Sequence, residues 1–209
     1  MTILPSVTFG NVYWYSLLMQ GKNVVIDPYE NFVKQSYRSR FEIVTSQGTR
    51  FLSVPVKSQN GIKTPLAKIQ IFEDDYWKSQ HLKSIESAYN SSPFYLFYQD
   101  ELKALYARKH TNLHEFNIAS VEMISNCLDL DFSFQVTTSY IDSCLHDFDA
   151  RPLLKPSVLK KYLNDNPFNR YIQVFEPKLG FQSNLSILDL LFNLGPEAEG
   201  YLEEINMEL

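Results

Sequence analysis

The sequence LPSVTFGNVYWYSLLMQGKNVVI, residues 4–26, decides the fold class. Leu4–Phe9 predicts a short strand, and the next residues predict a helix that Asn11 caps and Gly21 ends. The apolar run Val24–Ile26 then indicates a buried strand. A strand, a helix and a second strand in this order are typical of the βαβ unit of an α/β protein.

The rest of the 209 residues adds strands and helices without a linker that would divide the chain. Alternating apolar residues predict a hairpin from Phe41–Thr45 and Arg50–Val56, and further strands at Phe132–Tyr140 and Tyr171–Phe175. Helical periodicity predicts four longer helices, at 74–89, 94–109, 113–128 and 184–194. We therefore expect one α/β domain over residues 1–209, with a mixed β-sheet and flanking helices. An α+β arrangement is the alternative.

The composition argues against several classes of partner. Nineteen basic and 24 acidic residues give a net charge of −5, which favours neither nucleic acid nor an anionic membrane surface. No apolar run approaches the roughly 18 residues of a membrane span. The N-terminus has no signal-peptide pattern and the chain has only two cysteines, so we expect a cytoplasmic protein. Its seven dispersed glycines form no dinucleotide-binding or phosphate-binding loop.

The first candidate site is the segment 27–40, which begins at the carboxyl end of the predicted strand Val24–Ile26. Open α/β sheets bind ligands at such strand ends. The segment contains cationic and neutral polar side chains that suit a phosphate or carboxylate: Lys34, Gln35, Tyr37, Arg38 and Arg40. The alternative is a structural charge network in which the cations pair with Asp27 and Glu30.

The second candidate is His81. On the helix predicted at 74–89, it shares an apolar stripe with Trp77 and Ile85, so its imidazole is expected to be half-buried. A histidine in that environment has a tunable pKa and can act as a general base. The alternative is a histidine at the margin of the core that only hydrogen-bonds a carbonyl group.

The third candidate is Asp189, which lies in an almost entirely apolar helix. A carboxylate in that position requires a partner, because an unpaired buried charge costs several kcal/mol or raises the pKa. We expect Arg38 or Arg40 to pair with it, either as scaffolding or within a site. His110 and His114 have the i, i+4 spacing of metal ligands, but the residues between them break the helix, so no metal site is predicted.

Several blocks of the sequence resemble the WbqC-like family, in the version that we associate with Bacteroidetes. The matches follow the same order from about residue 4 to residue 197. They comprise Asn31–Arg40, Leu52–Val56, Trp77 with His81 and Ser84–Phe94, Tyr171–Phe175 with Phe181, and Asn184–Glu197. Broader members carry His-Gln-Pro and then Tyr-Leu-Pro near the first strand. This chain has Leu4–Phe9 there and lacks that histidine, so His81 becomes the best-placed imidazole.

The resemblance implies a role in surface-polysaccharide, or O-antigen, biosynthesis, since family members are associated with such gene clusters and often lie beside genes for amino sugars. We expect an enzyme that transfers an acyl or aminoacyl group to the nitrogen of a nucleotide-linked amino sugar. Its partner is then an anionic small molecule. In this hypothesis the diphosphate or carboxylate is bound by Lys34, Arg38 and Arg40, with Gln35, Tyr37 and Asn184 as further substrate-binding residues.

His81 takes the proton of the attacking amine in this hypothesis, and Asp189 orients an arginine. Two alternatives remain open at this point. One is a nucleotidyltransferase-like enzyme, which the βαβ opening favours. The other is a non-catalytic scaffold that binds an enzyme of the same pathway.

Overall fold

The computed structural model describes residues 1–57, 63–72, 74–145, 147–163 and 168–205. Its strands are β1 (Thr2–Pro5), β2 (Val24–Asp27), β3 (Arg40–Thr45), β4 (Gly48–Ser53), β5 (Val56–Lys57), β6 (Gln70–Ile71), β7 (Gln135–Val136) and β8 (Phe148–Asp149). A parallel sheet has the order β7-β2-β1-β8, while β3 and β4, and β5 and β6, form two antiparallel pairs.

Helices surround these strands. They are α1 (Val12–Gln20), α2 (Tyr76–Tyr89), α3 (Tyr95–Ala107), α4 (Leu113–Leu128), α5 (Pro156–Tyr162), α6 (Glu176–Leu179), α7 (Ile187–Leu194) and α8 (Ala198–Glu204), with short 3₁₀ turns at Leu66–Lys68 and Gly195–Glu197. The α/β prediction is confirmed, because parallel and antiparallel strands share one core with flanking helices. In the described residues no helix has the length and apolarity needed to cross a membrane.

The predicted βαβ opening is present. The Asn11 side chain caps α1 by accepting a hydrogen bond from the Trp14 amide at 2.9 Å. Helix α1 is apolar on every side because it packs against β1, α7 and α8, which bury Val12 to Leu18. The indole of Trp14 donates to the carbonyl oxygen of Pro5 at 3.0 Å, which ties the helix to the end of β1. Strand β2 then returns parallel to β1.

The hairpin of β3 and β4 forms as predicted, with Gly48 at a φ of +117°, a backbone conformation that favours glycine. Phe41 and Ile43 on β3 are buried in the core, whereas Arg40 and Glu42 alternate with them and lie on the other face. The N-terminal segment of α7 is bonded to β3, since the Ser186 amide donates to the Glu42 carbonyl oxygen at 2.9 Å. The hairpin therefore has one core face and one partly open face.

Three predicted strands differ from the structure. The first ends at Pro5 instead of Phe9, where the backbone has turned to a φ of +41°. The strand predicted at Phe132–Tyr140 shrinks to Gln135–Val136, at the exposed edge of the sheet. Tyr171–Phe175 forms no strand: Ile172 is 84% exposed, and buried Gln173 hydrogen-bonds through its side chain.

Candidate functional site

The predicted cation cluster separates into two environments. Arg38 is buried and makes a bidentate ion pair with Glu30, with Nε–Oε1 and Nη2–Oε2 distances of 2.7 and 2.6 Å. For Arg38, therefore, the structure shows the charge-network alternative. Arg40 is only partly buried, stacks its guanidinium 4.2 Å from the centre of the Phe51 ring, and donates to the carbonyl oxygen of Gln35 at 2.5 Å. Lys34 and Gln35 lie in the exposed turn that precedes β3.

The Arg38 ion pair belongs to a larger buried network that the sequence did not reveal. Arg38 also donates to the carbonyl oxygens of Arg151 and Leu154. Arg151 pairs in turn with Asp27 at the end of β2 and with Asp149 on β8. Burial alone would raise the pKa of Asp149, but the hydrogen bonds and charge of Arg151 hold it below its ordinary value. Asp149 is therefore part of the buried ion-pair network at the sheet edge.

His81 lies on the apolar stripe of α2, as predicted, but it is buried in the core and not half-buried, with 4% of its surface exposed. Its Nε2 is 3.1 Å from the carbonyl oxygen of Ser53 and its Nδ1 is 3.0 Å from the Tyr106 hydroxyl. Because a carbonyl oxygen only accepts, Nε2 carries the proton and Nδ1 accepts from Tyr106. Burial lowers the pKa of His81 to about 4, so the ring is neutral at pH 7 and both nitrogens are hydrogen-bonded.

Asp189 is fully buried on α7, also as predicted, but the expectation of an arginine partner is wrong. Its Oδ2 accepts from the Tyr171 hydroxyl at 2.5 Å and from the Gln173 amide at 2.8 Å. Burial raises the pKa of Asp189 to about 6, although both hydrogen bonds act to lower it. Arg38 is bound to Glu30 and Arg40 stacks on Phe51, so neither cation forms an ion pair with Asp189.

A pocket of about 510 Å³ opens between the β3–β4 hairpin, helix α5 and the segment 181–185. Its aromatic lining comes from two of these parts, with Tyr37 and Phe51 on the hairpin side and Phe181 on the segment. The Tyr37 and Phe51 rings lie 6.2 Å apart at a tilt of 53°. A concave site of this volume with aromatic planes suits a small molecule, and its other lining residues are mostly polar or charged.

The pocket also carries opposite charges on different walls. Glu42 on β3 and Lys160 on α5 both line it, and neither forms an ion pair within the described ranges. Burial, followed by the charge of Glu42, raises the pKa of the Tyr37 hydroxyl to about 12, so this group stays a neutral hydrogen-bonding partner. The pocket can therefore bind a ligand that has both signs of charge.

Asn184 lines the same pocket in a left-handed backbone conformation, with φ at +55°. Its Oδ1 accepts from the Tyr13 amide in the first turn of α1 at 2.9 Å, which fixes the side chain against that helix. A short Asn side chain tolerates this conformation better than most residues. The residue thus joins the first βαβ unit to the pocket wall.

Asp189 reaches the pocket only through its partners. The Gln173 side chain donates to the Gln182 carbonyl oxygen at 2.9 Å and accepts from the Gln182 amide at 2.8 Å. Tyr171 packs edge-on against Phe181, with ring centres 5.2 Å apart. Gln182 and Phe181 are part of the pocket wall, so Asp189 supports that wall from behind.

The structure therefore brings some of the predicted site residues together and leaves others apart. Tyr37 and Asn184 line the pocket, and Arg40 is next to it through Phe51. His81 packs against Phe41, on the hairpin face opposite the pocket. Glu42, Phe51 and Lys160 were not predicted, because nothing in their local sequence marks a shared wall.

A second cavity, of about 580 Å³, lies at the amino ends of the parallel strands. Met1, Val24 and Val25 line it together with residues 130–135. None of the predicted site residues contributes to this cavity, and no basic side chain of the described ranges lines it. The pocket beside the hairpin is therefore the candidate site.

Comparisons with known proteins identify sequences that this chain is similar to. The chain is 27% identical over 196 residues to the uncharacterized protein Rv1507c of Mycobacterium tuberculosis (strain ATCC 25618 / H37Rv), covering 82% of this chain and 83% of the relative. No solved structure matches it. The Bacteroidetes type stays a prediction. A model described as the WbqC-like protein family matches residues 12–201, so this chain belongs to the WbqC-like protein family.

Proposed function

We propose that this chain is a cytoplasmic enzyme of O-antigen or other surface-polysaccharide biosynthesis. It binds a nucleotide-linked amino sugar in the pocket beside the hairpin and transfers an acyl or aminoacyl group to the sugar nitrogen. Family membership supports a role related to polysaccharide biosynthesis and does not specify the reaction. The observation that carries the substrate class is the pocket, in which aromatic rings, Lys160 and Glu42 line one cavity.

Each part of such a ligand has a matching group in the pocket. The rings of Phe51 and Phe181 offer apolar planes to a sugar or a base. Lys160, with Arg40 next to the cavity, provides positive charge for a diphosphate. Amide and hydroxyl groups such as those of Asn184 and Ser157 suit sugar hydroxyls. A volume of about 510 Å³ is within the usual range for a small-molecule site.

The proposed acyl transfer forms one bond and breaks one bond. The amine nitrogen uses its lone pair to attack the carbonyl carbon of an activated donor, such as a thioester or an acyl phosphate. A carbon–nitrogen bond forms, the bond to the thiolate or phosphate breaks, and the leaving group keeps the electron pair. The neutral amine loses one proton to a base as the amide forms, and a ligand that binds as an ammonium group gives up another proton before the attack. The role of His81 as that base stays a prediction, and its side chain does not line the pocket. Asp189 has no part in this step, because neither Arg38 nor Arg40 pairs with it.

The proposal is tested by thermal unfolding with UDP-glucosamine, with UDP alone, and with ATP or CTP plus Mg²⁺. A ligand that binds only the folded state raises Tm, and the rise grows with the logarithm of the ligand concentration relative to Kd. We expect UDP-glucosamine to raise Tm, and we expect Phe181→Ala and Lys160→Met to remove most of that shift. Lys83→Met, on the exposed face of α2, is the matched control and should leave the shift unchanged.

Other outcomes favour the alternatives. A shift with a nucleoside triphosphate alone would favour nucleotidyl transfer. If neither nucleotide sugars nor triphosphates raise Tm, the catalytic proposal fails and the scaffold alternative is favoured. A shift that survives both pocket substitutions would show that the nucleotide sugar binds elsewhere.

A further inference from the structure

Glu42 occupies a fixed position on the pocket wall. It lies on β3 directly opposite Phe51 of β4, on the face that alternates with buried Phe41 and Ile43. Its carbonyl oxygen accepts from the Ser186 amide at 2.9 Å, so the strand cannot shift at this residue without breaking its contact with the start of α7. The side chain therefore extends from a rigid element into the pocket lining.

The carboxylate of Glu42 has no internal countercharge in the part of the chain that the structure describes. No ion pair and no side-chain hydrogen bond joins it to another described residue. Arg40 is on the same face of β3, but it stacks on Phe51 and donates to Gln35 instead. Lys160 belongs to another wall, on α5. Glu42 is thus a partly buried carboxylate without a counter-ion among the described residues.

Ligand binding changes the surroundings of Glu42. A sugar that packs on Phe51 excludes solvent from the Glu42 carboxylate, because the two residues lie opposite each other on the hairpin. A carboxylate that loses water without gaining a partner costs free energy. A primary ammonium group on the ligand supplies a charge-assisted hydrogen bond in return. An N-acetyl group has one N–H and no charge, so it restores less of the lost hydration.

We propose that Glu42 binds the primary ammonium group of the ligand and makes the pocket select a sugar with a free amine over its N-acylated form. This inference rests on the proposed function and names the substrate class within it. It also accounts for product release, since acylation removes the charge that Glu42 recognises. Glu42 is therefore a specificity-determining residue that touches the reacting nitrogen.

The experiment is isothermal titration calorimetry with three ligands that share one nucleotide: UDP-glucosamine, UDP-N-acetylglucosamine and UDP. The variant is Glu42→Gln, which keeps the shape and removes the charge. Glu122→Gln, on the exposed face of α4, is the matched control. A thermal melt of each variant checks that it folds.

We expect the wild type to bind UDP-glucosamine at least about tenfold more tightly than UDP-N-acetylglucosamine. Glu42→Gln should remove that preference while its affinity for UDP stays within about twofold of wild type, and Glu122→Gln should behave as wild type. Equal or tighter binding of the N-acetyl sugar overturns the inference but leaves the proposed function standing. A preference that Glu42→Gln retains also overturns it. If no UDP-sugar binds and none raises Tm, both fail together.

Discussion

At the scale of single residues, Asp189 shows how burial without a cation changes a carboxyl group. The side chain is fully buried, and its Oδ2 is bonded to the neutral groups of Tyr171 and Gln173. Burial raises the pKa of Asp189 to about 6 from an ordinary value of 3.8. Between these two values the folded protein keeps a proton that the unfolded chain releases. The free energy of unfolding that Asp189 contributes therefore falls as pH rises through this window.

We predict that Asp189→Asn removes this pH dependence. The stability of the wild type relative to the variant should decrease by roughly 3 kcal/mol between about pH 4 and pH 6 and stay constant above that. Urea unfolding at a series of pH values measures it. Asp142→Asn, in an exposed loop, is the control and should show no such trend. A difference that is flat across the window would contradict the raised pKa.

His81 contributes a pH dependence of stability that has the opposite sign to that of Asp189, over an overlapping range of pH. Burial lowers its pKa to about 4 from 6.5, so the unfolded chain takes up a proton that the folded protein does not. The stability that neutral His81 contributes is present above about pH 6.5 and is lost as pH falls toward 4. The effects of His81 and Asp189 partly cancel in the wild type, and only single variants separate them.

We predict that the His81 imidazole titrates near pH 4 in an NMR titration, with His81→Gln used to assign the signal. In urea unfolding, the stability of the wild type relative to His81→Gln should rise by roughly 3 kcal/mol from about pH 4 to pH 6.5. A midpoint near 6.5 would mean that the ring is solvated and free to act as a base. That result would favour the catalytic role predicted from the sequence.

At the scale of elements, the side chain of Gln173 makes the hydrogen bonds to a neighbouring segment that the backbone of a β-strand would otherwise make. Tyr171–Phe175 alternates as a strand does, but the segment pairs with no strand, and Gln173 holds Gln182 by two amide hydrogen bonds. Asp189 fixes the Gln173 amide from the side of α7. The pocket wall at 181–185 is therefore positioned by side chains of a neighbouring irregular segment.

We predict that Gln173→Ala loosens this wall. The variant should lose about 1–3 kcal/mol of unfolding free energy, because it leaves the buried Asp189 carboxylate and the Gln182 backbone with fewer partners. Its affinity for UDP-glucosamine should drop about tenfold in calorimetry. Gln80→Ala, on the exposed side of α2, is the comparison. Unchanged affinity in a destabilised Gln173→Ala protein would show that the wall does not depend on the Gln173 hydrogen bonds.

Helix capping and hydrophobic periodicity correctly predicted those helices and strands whose residues contact near neighbours in the sequence. Asn11 caps its own helix three residues away, and the periodicity correctly placed His81 on the apolar side of α2, although it underestimated how deeply His81 is buried. Contacts between distant segments were not predictable: Arg151 and Asp27 are 124 positions apart, and no periodicity connects them. The pocket shows the same division. Tyr37 belongs to a recognisable motif, whereas Lys160 joins it only because α5 packs beside the hairpin.

At the scale of the whole molecule, two arginines connect the parallel sheet to the loops at its carboxyl edge. Arg151 joins Asp27 of β2 to Asp149 of β8, with β1 between these strands. Arg38 precedes the hairpin and binds Glu30 as well as the Arg151 carbonyl oxygen. The carboxyl edge, where open sheets commonly bind ligands, is thus occupied by internal ion pairs. The candidate pocket lies instead beside the hairpin.

We predict that Arg151→Met is strongly destabilising, by about 3–5 kcal/mol in urea unfolding, because it leaves Asp27 buried without its cation. Arg170→Met removes an exposed ion pair with Glu176 and should cost less than about 1 kcal/mol. Adding Asp27→Asn to Arg151→Met should recover part of the loss, since no unpaired charge then remains at that position. Salt at about 1 M should weaken the Arg170 pair and leave the buried pair nearly unaffected, because ions screen exposed charges best. Equal costs for the two arginine variants would mean that the network at the sheet edge does not hold the strands together.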